Sequence, residues 1–207
     1  MKKIGVLVSG NGSNLQALLE ACKKENWDAE FAVVISNKPA VYALERAALF
    51  DVTTMYLSEE GKSREEYDRE IMQVLSDHEV DLVLLAGYMK VLTPEFVNAY
   101  AGRIMNIHPS LLPSFPGLHA QKQAFDAGVK LTGATVHFVD TGLDTGPIII
   151  QSPAIVDEND TAESLQERIL RVEHWIYPKA VALYLAGKLK IEGNKVKIDW
   201  GDKGAQN

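Results

Sequence analysis

Cysteine is nearly missing from this sequence: Cys22 is the one thiol in 207 residues. An internal disulfide is therefore impossible, a cysteine-rich metal site is excluded, and the composition suits a reducing compartment. Positive charge is scarce as well. Lys and Arg number 21 against 28 Asp and Glu, a net charge of −7 with His neutral, so the chain lacks the basic face that broad contact with a nucleic-acid backbone requires. No apolar run reaches the length of a membrane span. The opening "MKKIGVLVSG" has too short an apolar stretch for a secretion signal and runs directly into a glycine loop instead of a cleavage site. Internal repeats and low-complexity linkers are absent. His78, His119, His137 and His174 show neither i,i+4 pairing nor cysteine partners of the zinc kind, so no metal is expected. The absences leave a cytoplasmic protein, without nucleic-acid or membrane partners, as the expectation.

What is present is enough apolar material for one globular domain, 46% of all residues. Strands and helices alternate through the first half. "KIGVLVS" is a near-continuous apolar run, the pattern of a strand covered on both faces. A helix follows with Leu15, Leu18, Leu19 and Cys22 on one stripe, and Ser13-x-x-Gln16 reads as its capping box. "EFAVVIS" is the second strand, "VYALERAALF" a short helix, and "VTTMYL" the third strand. Ser63-x-x-Glu66 is a second capping box, opening a helix with Tyr67, Ile71, Val74 and Leu75 inward. "VDLVLLAGY" is a fourth buried strand, Thr93-Pro94 starts another helix, and "GRIMNIH" is the fifth strand. This rhythm predicts an α/β fold: an open, mostly parallel twisted sheet with helices on both faces. The later strands "LTGATVHFV" and "GPIIIQSPAIV", the second interrupted by Pro153, read as an antiparallel or mixed extension. A long helix is expected over residues 161–186, then a hairpin around Gly193-Asn194 and a flexible tail, "GDKGAQN". The expected organisation is one domain over 1–190, with the hairpin and tail over 191–207.

Three stretches carry candidate chemistry. The first is "SGNGSN", whose residues Gly10, Asn11, Gly12, Ser13 and Asn14 link the first strand to the first helix. Its glycines allow a sharp turn with exposed N–H groups, and a helix N-terminus welcomes an anion. Leu15 stands where a dinucleotide fingerprint needs its third glycine, and the Gly-Lys-Ser/Thr of a nucleotide P-loop is missing. A cradle for a single phosphate is one reading, and a plain tight turn the other. The second stretch is "NIHPSLLPSFPGLHA". Alternation puts Asn106 and His108 on one face at the carboxyl end of a buried strand, the edge where open α/β sheets bind ligands. An Asn amide can donate to a developing oxyanion and a His can move a proton near neutral pH. Pro109, Pro113 and Pro116 stiffen the loop that follows. The third is "VDTGLDTGPI", where Asp140 and Asp144 offer a carboxylate to orient the His, or simply close an Asx-turn. Glu173, on the edge of the long helix's apolar stripe, needs a partner: a ligand hydroxyl or a backbone N–H. Arg64 sits in the first turn of its helix, where a cation opposes the dipole; it is either exposed to solvent or serves an anionic ligand. Met89 to Leu92 can line an apolar pocket.

Taken together, "SGNGSNLQALL", "LAGYMKVLTPEFV", "NIHPSLLPSFPGLHA", "GATVHFVDTGLDTGPII" and "EHWIYPKAV" resemble the phosphoribosylglycinamide formyltransferases, the folate-dependent glycinamide ribonucleotide transformylases of purine synthesis. The resemblance runs from Ile4 to about Leu189. It implies a Rossmann-like formyltransferase fold with 10-formyltetrahydrofolate as co-substrate and no metal or nucleotide cofactor, in a monomer or homodimer. It implies catalytic roles for Asn106, His108 and Asp144, a substrate-phosphate site at Gly10 to Asn14, and a ribose contact at Glu173. It implies a folate site at Arg64 and at Met89, Lys90, Val91 and Leu92, with the Asp140–Asp144 loop closing over the pterin, and a cis bond at Pro113. Lys90 departs from the Arg common in relatives, and a point charge is not a planar fork.

Three neighbouring functions share parts of this pattern. Methionyl-tRNA formyltransferases add an RNA-binding domain and a basic face, neither expected here. Formyltetrahydrofolate hydrolases send the formyl group to water and typically carry a domain ahead of the strand that here begins at Lys3. A non-catalytic binder of folate or sugar phosphate would have no use for Asn106, His108 and Asp144 together.

Overall fold

The computed structural model describes residues 1–201. Nine strands form one sheet: β1 (Lys2–Val8), β2 (Ala29–Ser36), β3 (Thr54–Tyr56), β4 (Leu82–Leu85), β5 (Ile104–His108), β6 (Leu131–Phe138), β7 (Ile148–Ile155), β8 (Leu189–Glu192) and β9 (Lys195–Ile198), in the order β3-β2-β1-β4-β5-β6-β7-β9-β8. The first five are parallel, as the βαβα rhythm predicts. β6 then pairs antiparallel with both β5 and β7, and the 189–198 hairpin joins the same sheet where Lys195 meets Ile148. Residues 202–207, within the expected flexible tail, lie outside the described residues.

The alternation of side chains divides the core. Ile4, Val6, Val8, Met105 and Ile107 face α1 (Ser13–Glu25) and α6 (Ala162–Leu185), through Leu15, Leu18, Ile169 and Ile176. Leu7, Val33, Ile35, Val83 and Ile104 face the other way, onto α3 (Arg64–Asp77) and α4 (Pro94–Ala99), through Tyr67, Ile71, Leu75 and Phe96. Two shorter helices, α2 (Tyr42–Ala48) and α5 (Ala120–Asp126), complete the set; the sequence patterns did not point to α5. The Tyr177 hydroxyl is shared between the carbonyls of Leu85 and Met105, which ties α6 across β4 and β5.

The Ser63–Glu66 box and the Thr93-Pro94 start are formed as expected. Two other expectations are corrected. Ser13 and Gln16 make no capping box: the N-cap is Gly12, left-handed at φ 76°, without a side-chain cap, and Gln16 bonds Glu20 instead. Pro153 does not interrupt its strand. β7 runs unbroken past it, with Pro153 opposite Gly133 of β6, where no other strand pairs and its missing N–H costs no ladder bond. This close approach depends on Gly133. A Cβ there would lie 2.1 Å from the Ser152 carbonyl oxygen and 2.9 Å from the Pro153 Cα. Gly133→Ala should lose about 1–3 kcal/mol of stability, read as a lower denaturant midpoint; an unchanged midpoint would show that β6 and β7 part freely.

Candidate active site

The carboxyl ends of β1, β4 and β5 share one edge of the sheet, and the strand order reverses between β1 and β4. Their exits are stitched together. Ser9 N–H donates to the Gly87 carbonyl (3.2 Å), Met89 N–H to Ser9 Oγ (2.9 Å), and Ser9 Oγ–H to Asn37 Oδ1 (2.7 Å). Such a switch point opens a crevice where ligands bind.

Asn106 and His108 stand at the end of β5, and the tertiary fold surrounds them. Antiparallel pairing puts His137 of β6 directly opposite Asn106. His137 Nδ1 lies 2.8 Å from the Phe138 carbonyl oxygen, which can only accept, so Nδ1 carries the proton. Burial holds this imidazole below its usual range, hence neutral, with Nε2 as a bare acceptor. Asn106 Nδ2, 3.2 Å away, donates to it. That orients the amide and leaves a second N–H for another acceptor. His108 is nearly fully buried, its Nε2–H directed at the Phe115 carbonyl (2.8 Å) and its Nδ1 3.4 Å from Asp144 Oδ2. The same Asp144 oxygen accepts the Gly117 N–H at 2.8 Å, and the other lies 3.8 Å from His137 Nε2. The Asp144 carboxylate thus ties His108 to the proline-rich loop, whose Leu112–Pro113 bond is cis, while its second oxygen makes no hydrogen bond to the unprotonated His137 Nε2. Asp140 is turned elsewhere: it accepts from Gly142 N–H and the Thr145 hydroxyl, an Asx-turn. The sequence considered His137 only as a metal ligand; the signal that could have found it is the register of β6 against β5, which alternation within either strand does not contain.

Two features flank this cluster. On one side is the Gly10–Asn14 loop at the uncapped start of α1, where first-turn N–H groups have no side-chain partner. Behind it, Asn14 Nδ2 donates to Glu173 at 2.6 Å, while Asn14 Oδ1 is buried without a partner. Burial pushes the Glu173 carboxyl from an ordinary 4.5 up to about 7, against the opposing pull of the Asn14 bond. Because the folded value is the higher one, this stabilising contribution is complete below pH 4.5 and is lost as pH rises through about 7. Glu173→Gln should therefore gain stability relative to the parent between pH 5 and 8, on the order of 2 kcal/mol, as seen by thermal melts across that range. Parallel melting curves would show that Glu173 titrates normally.

On the other side, a cavity of about 380 Å³ is lined by Glu59, Lys62, Arg64, Asp68, Met89, Lys90 and Val91, among others. Lys62 pairs with Glu70 and Lys90 with Glu59. Leu92, expected on this wall, is buried in the α3/α4 core instead. Among the described residues no group of three or more His, Cys, Asp or Glu is arranged to hold a metal, and no helix is long and apolar enough to cross a membrane.

The family model described as formyl transferase matches residues 2–181. The chain belongs to the formyl transferase family. It is 46% identical over 182 residues to the phosphoribosylglycinamide formyltransferase of Bacillus subtilis, covering 87% of this chain and 93% of that one. It is also 48% identical over 189 residues to the trifunctional purine biosynthetic protein adenosine-3 of Drosophila melanogaster, which covers 90% of this chain. The chain spans only 14% of that longer protein. Among solved structures, glycinamide ribonucleotide transformylase 1 from Symbiobacterium toebii superimposes with a TM-score of 0.93 at 48% identity, covering 96% of this chain and 94% of the other. This family member also resembles a formyltetrahydrofolate deformylase from Pseudomonas syringae, with a TM-score of 0.88 at 32% identity, over 96% of this chain and 66% of that one.

Proposed function

We propose that the chain transfers the formyl group of 10-formyltetrahydrofolate to the amine of N1-(5-phosphoribosyl)glycinamide, in de novo purine (IMP) biosynthesis. The observation that carries this reading is the joining of Asn106, His108 and Asp144 at one strand edge, between an uncapped helix start and a cavity lined by charges of both signs, Arg64 among them. The free N–H of Asn106 donates to the oxyanion formed when the amine attacks the formyl carbon. His108, held by Asp144, stabilises that charge and assists proton transfer to the departing N10. The amine attacks directly, so no covalent enzyme intermediate forms. The Gly10–Asn14 loop takes the phosphate. Glu173 and the unpartnered Asn14 Oδ1 accept from the ribose hydroxyls. Arg64 makes no ion pair among the described residues, which fits a contact to the carboxylate tail of the folate, and Met89 and Val91 supply apolar wall. Holding both reactants in place can contribute roughly 7–11 kcal/mol at best.

The test is a steady-state assay of formyl loss from the folate, followed by absorbance with and without the ribonucleotide. Loss that requires the ribonucleotide and disappears in His108→Ala is expected. Loss to water alone would assign the chain to deformylase chemistry, the activity named for the Pseudomonas relative.

A further inference from the structure

The Gly10–Asn14 loop is shaped from outside itself, by α2. The Ala43 N–H donates to the Gly10 carbonyl at 3.1 Å. One residue on, Arg46 closes its fork on Asn11: Nε–H donates to the Asn11 carbonyl (2.9 Å) and an Nη to Asn11 Oδ1 (3.1 Å). The guanidinium rests on the Tyr42 ring, 4.4 Å from its centre. At Gly12 the contact is so close that a Cβ would lie 2.6 Å from the Ala43 Cβ and 2.7 Å from its Cα. In a trans peptide the N–H points opposite to the C=O. Two successive carbonyls tied to α2 therefore turn the N–H groups of Asn11 and Gly12 away from it. Successive backbone N–H groups directed outward at a turn form an anion-binding nest, which here continues into the uncapped start of α1. The hydrogen-bond partners of Arg46 are neutral oxygens, so its positive charge is not cancelled by them.

We infer that Arg46 is a positioning residue for the phosphate end of the ribonucleotide, holding the Gly10–Asn14 loop in its anion-receiving form through both acceptors of Asn11. The inference rests on the phosphate reading of that loop. It assigns to Arg46 an effect on ribonucleotide binding alone, because the residue touches neither the Asn106–His108–Asp144 cluster nor the cavity beside Arg64.

The test compares Arg46→Met, which keeps an unbranched apolar stem but has no donors, with Arg46→Lys, which can reach one acceptor at a time. Arg46→Met should raise the KM for the ribonucleotide roughly 10- to 100-fold, the range for losing charge-assisted hydrogen bonds. The kcat and the folate KM should stay within about threefold, and Arg46→Lys should fall between parent and Met. In parallel, inorganic phosphate is titrated while the amide signals of residues 10–14 are followed by NMR, and its affinity should drop by a similar factor in Arg46→Met. An unchanged ribonucleotide KM with unchanged phosphate affinity would overturn the inference, and so would equal damage to both substrates' KM. If the parent transfers no formyl group yet phosphate affinity falls in Arg46→Met, the brace stands and the transferase reading fails. If phosphate perturbs no amide of the loop in the parent, the brace has no anion to serve and is refuted.

Discussion

Asp144→Asn should lower kcat roughly 10²- to 10⁴-fold with little change in either KM, the loss seen when the carboxylate behind a catalytic His is neutralised. The substitution is nearly isosteric. The amide oxygen can still accept the Gly117 N–H, now 2.8 Å from Asp144 Oδ2, and the amide nitrogen can face His137 Nε2, an acceptor 3.8 Å from Oδ1. What disappears is the negative charge 3.4 Å from His108 Nδ1. In the parent, both His108 nitrogens face acceptors, the Phe115 carbonyl and Asp144, which fix the ring. Without the charge, the His108 ring loses the group that holds its tautomer and orientation. Asp144→Ala should add a stability loss, because the Gly117 N–H loses its acceptor and Phe115 and Gly117, both at positive φ, are less firmly held. Turnover of Asp144→Asn within threefold of the parent, with the same melting temperature, would remove the carboxylate from the mechanism.

Asn106→Ala should cost roughly 10²–10³ in kcat, the range for a lost oxyanion donor. The amide is oriented before substrate arrives: the neutral His137 accepts one N–H, so the other is already aimed and needs no reorganisation. The side chain is partly buried, and its removal leaves His137 Nε2 without a donor, so a modest stability loss accompanies the kinetic one. His137→Phe separates the two effects. It keeps the ring in the core and frees the Asn106 amide to rotate, so its kcat should fall less than that of Asn106→Ala. Normal turnover by a folded Asn106→Ala protein would assign the oxyanion to another donor; a His137→Phe loss as large as the Asn106→Ala loss would make His137 more than an orienting group.

The two helix starts that formed as expected have a local cause. Ser63 and Glu66 are three residues apart and meet within one helical turn, so their spacing suffices to specify the cap. Thr93 and Pro94 define a helix start in the same way. The Ser13–Gln16 box failed because the same spacing was overruled by a residue 31 positions beyond Gly12 in sequence: Ala43 packs against Gly12 and ties Gly10, and the helix starts on a left-handed glycine instead. Pro153 was misread because the number of neighbours a strand has at each point is a property of the sheet.

By itself, the amino-acid sequence determined the alternating βα order, the polar pair Asn106 and His108 on one strand face, and an acidic, cysteine-poor composition. Each of these follows from side-chain periodicity or from counting. The tertiary structure alone decided that His137 stands across from Asn106 and that Glu173 meets Asn14 across 159 positions. Those pairings depend on strand register, loop handedness and helix packing, where residues far apart in the chain compete for the same space and no local spacing records the winner.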